Sequence, residues 1–157
     1  MTAPLFFADA ARLRAAGVGE VVLLDGPEGR HAATVRRLSP GEKLDLSDAA
    51  GLLCSAVVVA VSGQAIEARI VARVEVAPPS PRLNVVQALA KGDRDERAVE
   101  TMTEVGVDAI VPWQADRSIV RWDSDRATKG VARWRATARE AAKQSRRAWV
   151  PEIADSE

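Results

Sequence analysis

Sulfur, histidine and aromatic side chains are scarce in this sequence. Its 157 residues include one cysteine, one histidine, two phenylalanines and no tyrosine. The single cysteine, Cys54, excludes an intrachain disulfide and a cysteine-based zinc site, and no metal is expected. Long apolar runs are missing as well, since a membrane-spanning helix needs roughly 18 such residues. The longest run, Leu52 to Val61, is broken by Cys54 and Ser55 and reads as a strand. Met1 to Gly17 has neither the basic start nor the long apolar stretch of a secretory signal. A cytoplasmic location without membrane contact is the expectation. Net charge is absent too, because 22 Lys and Arg balance 22 Asp and Glu. What is present is ample apolar material, 47% of residues against 28% charged, which excludes global disorder and allows one domain or two small ones.

The zero balance hides an asymmetry. Residues 1–116 carry 12 basic and 16 acidic side chains, whereas residues 117–149 carry 10 basic and 3 acidic. Eighteen of the 22 basic residues are arginine, whose planar fork suits phosphate better than the point charge of lysine. Charge alone fits an RNA-facing surface and a solvated helix face equally well.

The first half reads as β. Glu20 to Leu24, Lys43 to Ser47, Leu52 to Val61 and Gln64 to Val76 are rich in Val, Leu and Ile. In the last run Ile66, Ala68, Ile70 and Ala72 alternate with Glu67, Arg69, Val71 and Arg73, as on a half-buried strand. Pro27 to Leu38 reads as a short helix closed by Ser39-Pro40-Gly41. A small β-barrel with one helix over residues 1–76 is expected. Ala77-Pro78-Pro79-Ser80-Pro81 cannot continue a strand or a helix and reads as a linker. From residue 82 to 157 the pattern is α/β, with strands expected at Leu83 to Ala90, Val107 to Pro112 and Val150 to Ile153. Between them lie one helix that Asp93 and Glu96 would cap as a box and Gly106 would close, and a longer helix from about Asp125 to Ala148. Such a parallel sheet needs cover on both faces, and two helices are too few, so further chain or a partner is expected to complete it.

No nucleotide fingerprint occurs: both the P-loop and Gly-x-Gly-x-x-Gly patterns are absent. Gly26-Pro27-Glu28-Gly29 reads as a turn entering a helix rather than a phosphate loop. His31 sits on that helix with Arg36 and Arg37, a group that suits RNA phosphates although a lone histidine more often packs. Lys91-Gly92-Asp93 lies where a strand gives way to a helix, the usual ligand edge of an α/β sheet. Glu104 and Arg117-Ser118 fall near strand ends, and a salt bridge between Glu104 and Arg117 is one reading. Arg135, Arg139, Lys143 and Arg147 recur every four residues with Arg146 beside them, which would lay a basic stripe opposite Val131, Trp134, Ala138, Ala141 and Ala142. Four tryptophans more plausibly pack than stack on bases.

Three stretches together resemble the bacterial 16S ribosomal RNA uracil-N3 methyltransferases of the SPOUT superfamily. They are His31-Ala32-Ala33-Thr34-Val35-Arg36-Arg37 with Pro40-Gly41-Glu42; Ala90-Lys91-Gly92-Asp93 through Thr103-Glu104-Val105-Gly106-Val107 to Arg117-Ser118-Ile119-Val120; and Arg133-Trp134 through Ala138-Arg139-Glu140-Ala141-Ala142-Lys143-Gln144-Ser145-Arg146-Arg147 to Val150-Pro151-Glu152-Ile153. Arg36 stands where the family has Leu, and Lys143 where Glu is usual.

The resemblance implies a PUA-like RNA-binding β-barrel followed by an incomplete SPOUT-type α/β domain with a parallel sheet. It implies methyl transfer from S-adenosylmethionine to N3 of a uridine, with 16S rRNA or the small ribosomal subunit as partner and a homodimer as the full-length form. The family's Gly-Pro-Glu-Gly-Gly knot loop and Leu-Arg-x-Glu-Thr-Ala segment do not occur in the second half, so the cofactor site is expected beyond Glu157 and this chain alone is expected to be inactive. His31, Arg36, Arg37, Lys91, Arg117, Arg139 and Arg147 are the expected RNA contacts. Arg117 and Glu104 are the only candidates for a catalytic role, and no base is assigned. The competing readings are a non-catalytic rRNA-binding module and a small-ligand α/β enzyme.

Overall fold

The computed structural model describes residues 2–155, which divide between Pro78 and Pro79 into two compact units. In the first, strands β1 (Leu5–Phe7), β2 (Val21–Leu24), β3 (Lys43–Ser47), β4 (Leu52–Ser62) and β5 (Ala65–Glu75) form one sheet ordered β1-β3-β4-β5-β2. Only β1 and β3 are parallel. Alternation places Leu52, Cys54, Ala56 and Val58 of β4 against Ile66, Ala68 and Ile70 of β5 in one buried core. Burial pushes the Cys54 thiol pKa up, so it behaves as a small apolar side chain.

The expected alternation of β5 holds only to Ile70. The register passes from Ala56↔Ile70 to Ser55↔Ala72, leaving Val71 as an extra residue. One inserted residue reverses the faces beyond it. Ala72 is therefore exposed, while Arg73 turns inward opposite Cys54 and donates to the carbonyl of Ala16.

Two elements escaped the sequence reading. They are β1, too short to show a period, and helix α1 (Ala10–Ala15), whose Asp9 accepts from the Arg12 amide at 2.9 Å and whose Leu13 is fully buried. The helix expected at Pro27 to Leu38 is shorter and mixed: α2 (Gly26–Arg30) runs into a π turn, His31–Val35, closed by the Arg36 amide donating to the His31 carbonyl at 2.9 Å. Gly29 is required there, because a Cβ would sit 2.7 Å from the Gln64 carbonyl oxygen.

In the second unit, β6 (Asn84–Ala88), β7 (Ala109–Trp113) and β8 (Glu152–Ile153) form a parallel sheet in that order. Helix α3 (Arg94–Val105) links β6 to β7, and α4 (Ser124–Gln144) links β7 to β8. Sequential parallel strands joined by right-handed crossovers place both helices on one face. In agreement, Val99 of α3 and Val131, Trp134 and Ala138 of α4 share one core with Ile110 and Ile153. Pairing of Val86 with Val111 and of Ala88 with Trp113 puts these four residues on the opposite face. There Val86 is 62% and Trp113 51% exposed, so β6 is not the doubly buried strand its apolar run implies.

Gly106 ends α3 in the left-handed conformation (φ 102°), as expected. The capping box does not form. The Asp93 side chain makes no cap hydrogen bond and instead pairs with Arg97 at 2.8 Å.

Candidate functional site

In the first unit, His31, Arg36 and Arg37 share one short segment but not one environment. The His31 ring packs edge-on against buried Phe6, with centroids 5.7 Å apart, so packing accounts for it. Arg36 and Arg37 are exposed, and neither side chain makes an ion pair among the described residues. Arg37 takes a left-handed conformation (φ 54°) as the chain leaves the π turn.

In the second unit, the ligand edge of a parallel sheet lies at the carboxyl ends of its strands. Lys91 follows β6 there, and residues 114–123 follow β7. This second loop is braced from within. Gln114 Oε1 accepts from the Trp122 amide at 2.7 Å, and Arg121 Nη2 donates to the Asp116 carbonyl at 2.8 Å. The Trp122 ring lies over Gly130 of α4 and meets Trp134 edge-on at 5.6 Å. A Cβ at position 130 would enter that ring. Glycine in the second turn of α4 thus lets the loop seat its tryptophan on the helix.

Beside this contact opens a cleft of about 630 Å³. Its cations are Lys91, Arg121, Arg126, Lys129 and Arg133, its apolar lining is Ile119, Val120 and Trp122, and it contains no carboxylate. Arg126, Lys129 and Arg133 are three and four residues apart, hence on one helix face. Arg133 also reaches Glu96 of α3 at 3.4 Å and Arg126 its own cap residue Asp123 at 3.6 Å, exposed pairs that orient the forks more than they stabilise the fold. Lys91 and Lys129 have no ion pair among the described residues. Arg117 is exposed on the same loop without lining the cleft. It forms no ion pair with Glu104, which is exposed near the end of α3, so the expected salt bridge is absent.

The expected basic stripe does not form: the end of α4 removes Arg147, and within the helix Lys143 is buried and Arg135 is engaged. The helix stops at Gln144, where Ser145 Oγ donates to the Ala141 carbonyl, and Arg146 turns left-handed (φ 59°). Arg147 therefore leaves the helical register and points inward. Its side chain is 14% exposed, donates to the carbonyls of Thr103 (3.0 Å) and Val107 (2.7 Å), and lies 3.3 Å from buried Asp108. Lys143 is buried and lies 3.4 Å from Glu140. Arg135 donates to the Ile153 carbonyl and to Asp155. Arg135, Arg139 and Arg146 stay exposed at the surface. Arg147 is thus tied into the fold and is not part of an exposed basic stripe. Of the cations that converge, Lys91 was expected as a contact and Arg121, Arg126, Lys129 and Arg133 were not: the spacing of Arg126, Lys129 and Arg133 was a visible signal, but their meeting with Lys91 and Arg121 depends on the fold.

A methyl donor of the S-adenosylmethionine type carries a sulfonium and an ammonium against one carboxylate, a net positive charge. A cleft lined by five cations and no carboxylate does not fit it; it fits an anion.

Comparison with known proteins places these features among relatives. Residues 78–157 match the RNA methyltransferase domain family, and residues 24–71 match the RNA methyltransferase PUA domain. The ribosomal RNA small subunit methyltransferase E of Mycobacterium tuberculosis is 46% identical over 153 residues, which cover 98% of this chain and 57% of that protein. The protein of the same name from Bacillus subtilis is 30% identical, over 84% of this chain and 52% of its own length. Among solved structures, the Neisseria gonorrhoeae ribosomal RNA small subunit methyltransferase E bound to S-adenosyl methionine superposes with a TM-score of 0.83 at 29% identity, covering 99% of this chain and 62% of that one. The chain therefore spans little more than half the length of the curated relatives it matches.

Proposed function

The chain belongs to the RNA methyltransferase family, and from that premise we propose that it forms the RNA-docking part of an enzyme that methylates N3 of a uridine in 16S ribosomal RNA. The observation that carries the reading is the order of the two matches, a PUA domain and then an RNA methyltransferase domain, shared with relatives named for the small-subunit RNA. S-adenosylmethionine supplies the methyl group. The poor fit of the cationic cleft to that donor supports a donor site formed by other residues of the full-length enzyme. The half-covered sheet, with Val86 and Trp113 exposed, supports a domain completed by further chain. The same resemblance supports a cytoplasmic homodimer, and no helix among the described residues is long and apolar enough to cross a membrane.

The work left to this chain is to bind and orient RNA. Exposed Arg36 and Arg37 on the first unit and Lys91, Arg117 and Arg139 on the second are the proposed contacts, with His31 supporting the segment that bears the first two. Phosphate contacts set the register in which the target base is presented, and such presentation requires unstacking it from its neighbours. Taken alone, the 157 residues act as an rRNA-binding module without catalysis.

The substrate assignment is tested with the full-length protein carrying these residues. Incubated with small ribosomal subunits and methyl-labelled S-adenosylmethionine, it should place the label in 3-methyluridine on nucleoside analysis. Label in any other nucleoside, or none in 16S rRNA, overturns the assignment.

A further inference from the structure

We propose that the cleft between the loop after β7 and the first half of α4 binds a single-stranded segment of the RNA substrate, its phosphates on Lys91, Arg126, Lys129 and Arg133 and one unstacked base on Ile119. The inference rests on the RNA reading above and adds to it a cleft in which Lys91, Ile119 and Arg133 of the family-resembling stretches meet Arg121, Arg126 and Lys129.

Three observations carry it. First, charge: five cations and no carboxylate line one concavity of about 630 Å³, and the neighbouring acids Glu96 and Asp123 each engage only one arginine. The local field stays positive although the chain as a whole is neutral. Second, arrangement: Arg126, Lys129 and Arg133 span about two turns of α4, roughly 10 Å at 1.5 Å per residue, a distance that takes in two successive phosphates of an extended strand. Third, apolar surface: Ile119 is 87% exposed at the mouth of this cationic cleft, and the partly buried Trp122 beside it is held by Gly130 and Trp134. A large apolar side chain set among phosphate-binding cations suits the face of a base, which an unpaired strand offers and a stacked duplex does not, while the row of cations along α4 suits successive phosphates. Inorganic phosphate would use the cations but leave Ile119 without a role.

The test is fluorescence anisotropy of the 157-residue chain with a labelled, uridine-rich RNA of about a dozen nucleotides, read across a salt series. For a single strand, each lost phosphate contact reduces the slope of log K against log salt by about 0.7, so Arg126→Gln with Lys129→Gln should flatten it by about 1.4 and weaken binding at least tenfold near 0.1 M salt. Arg82→Gln, before β6 and so at the opposite end of the strands from Lys91, should leave the slope unchanged. Ile119→Ala should weaken binding severalfold at constant slope, and the loss should vanish with an oligomer made abasic throughout. Unaltered thermal unfolding of the variants, all at exposed positions, separates binding from folding.

If the wild-type chain shows no salt-dependent RNA binding, the functional reading and this inference both fall. If it binds, but only Arg36→Gln with Arg37→Gln changes the slope, the functional reading stands and the cleft assignment is overturned. A duplex bound as tightly as the single strand, with the same loss in the double variant, would overturn the single-stranded assignment.

Discussion

Arg147→Met is expected to lower the unfolding free energy of the second unit by about 3–5 kcal/mol, the usual cost of leaving a buried charge without its partner. Three backbone segments meet at this side chain. One nitrogen serves the carbonyls of Thr103 and Val107 at the junction of α3 and β7, and another faces Asp108. Asp108 in turn accepts from the Leu83 amide at 2.9 Å, ahead of β6. The variant therefore strands the Asp108 carboxylate and two carbonyls at once. Arg147→Lys keeps the charge but cannot form the fork, and should recover only part of the loss. Urea unfolding followed by tryptophan fluorescence checks this cleanly, since Trp113, Trp122, Trp134 and Trp149 all lie in the second unit. The same variant at low urea should keep the salt slope of RNA binding. A flattened slope with unchanged stability would return Arg147 to the RNA surface.

Trp134→Ala should cost about as much, roughly 3–5 kcal/mol, by a different route. The ring is fully buried among Val99, Val131, Ala138 and Ile110 and supports Trp122 edge-on. Removing it opens a cavity in the one core that α3 and α4 share with the sheet, and it withdraws the support of the loop bearing Ile119. Its indole nitrogen is buried and makes no hydrogen bond among the described residues. Trp134→Phe consequently loses contact area but also removes an unsatisfied donor, and should cost only about 1–2 kcal/mol. A Phe loss well above about 2 kcal/mol in urea titrations would show that the indole nitrogen has an acceptor after all.

Elements with a sustained period were legible in the sequence. Lys43–Ser47 is found with its expected bounds, and the apolar face of α4 packs as read. Three-residue β1 and six-residue α1 are too short for a period to show, although Asp9 three residues before Arg12 was a usable cap signal. The bulge at Val71 could not be read either, because an inserted residue leaves the composition of a strand unchanged while reversing its faces. The site divides along the same line. Exposure of Arg36 and Arg37 follows from their segment, and Lys91 from its place at a strand end. Regular spacing of Arg135, Arg139, Lys143 and Arg147 implied one exposed face, but the left-handed turn at Arg146 takes Arg147 off the helix, and within it Lys143 is buried and Arg135 is held by Ile153 and Asp155. The cleft joins residues 91, 121 and 126–133, which only the packing of β6, β7 and α4 brings together.

The central claim is a division of labour, with RNA held by these residues and the methyl donor held by others. Its most direct test is a calorimetric titration of the 157-residue chain, shown to be folded by its tryptophan emission, with S-adenosylmethionine. The account predicts no saturable heat. Saturable binding near one donor per chain would contradict it and make the residues around Lys91 and Arg117 cofactor ligands.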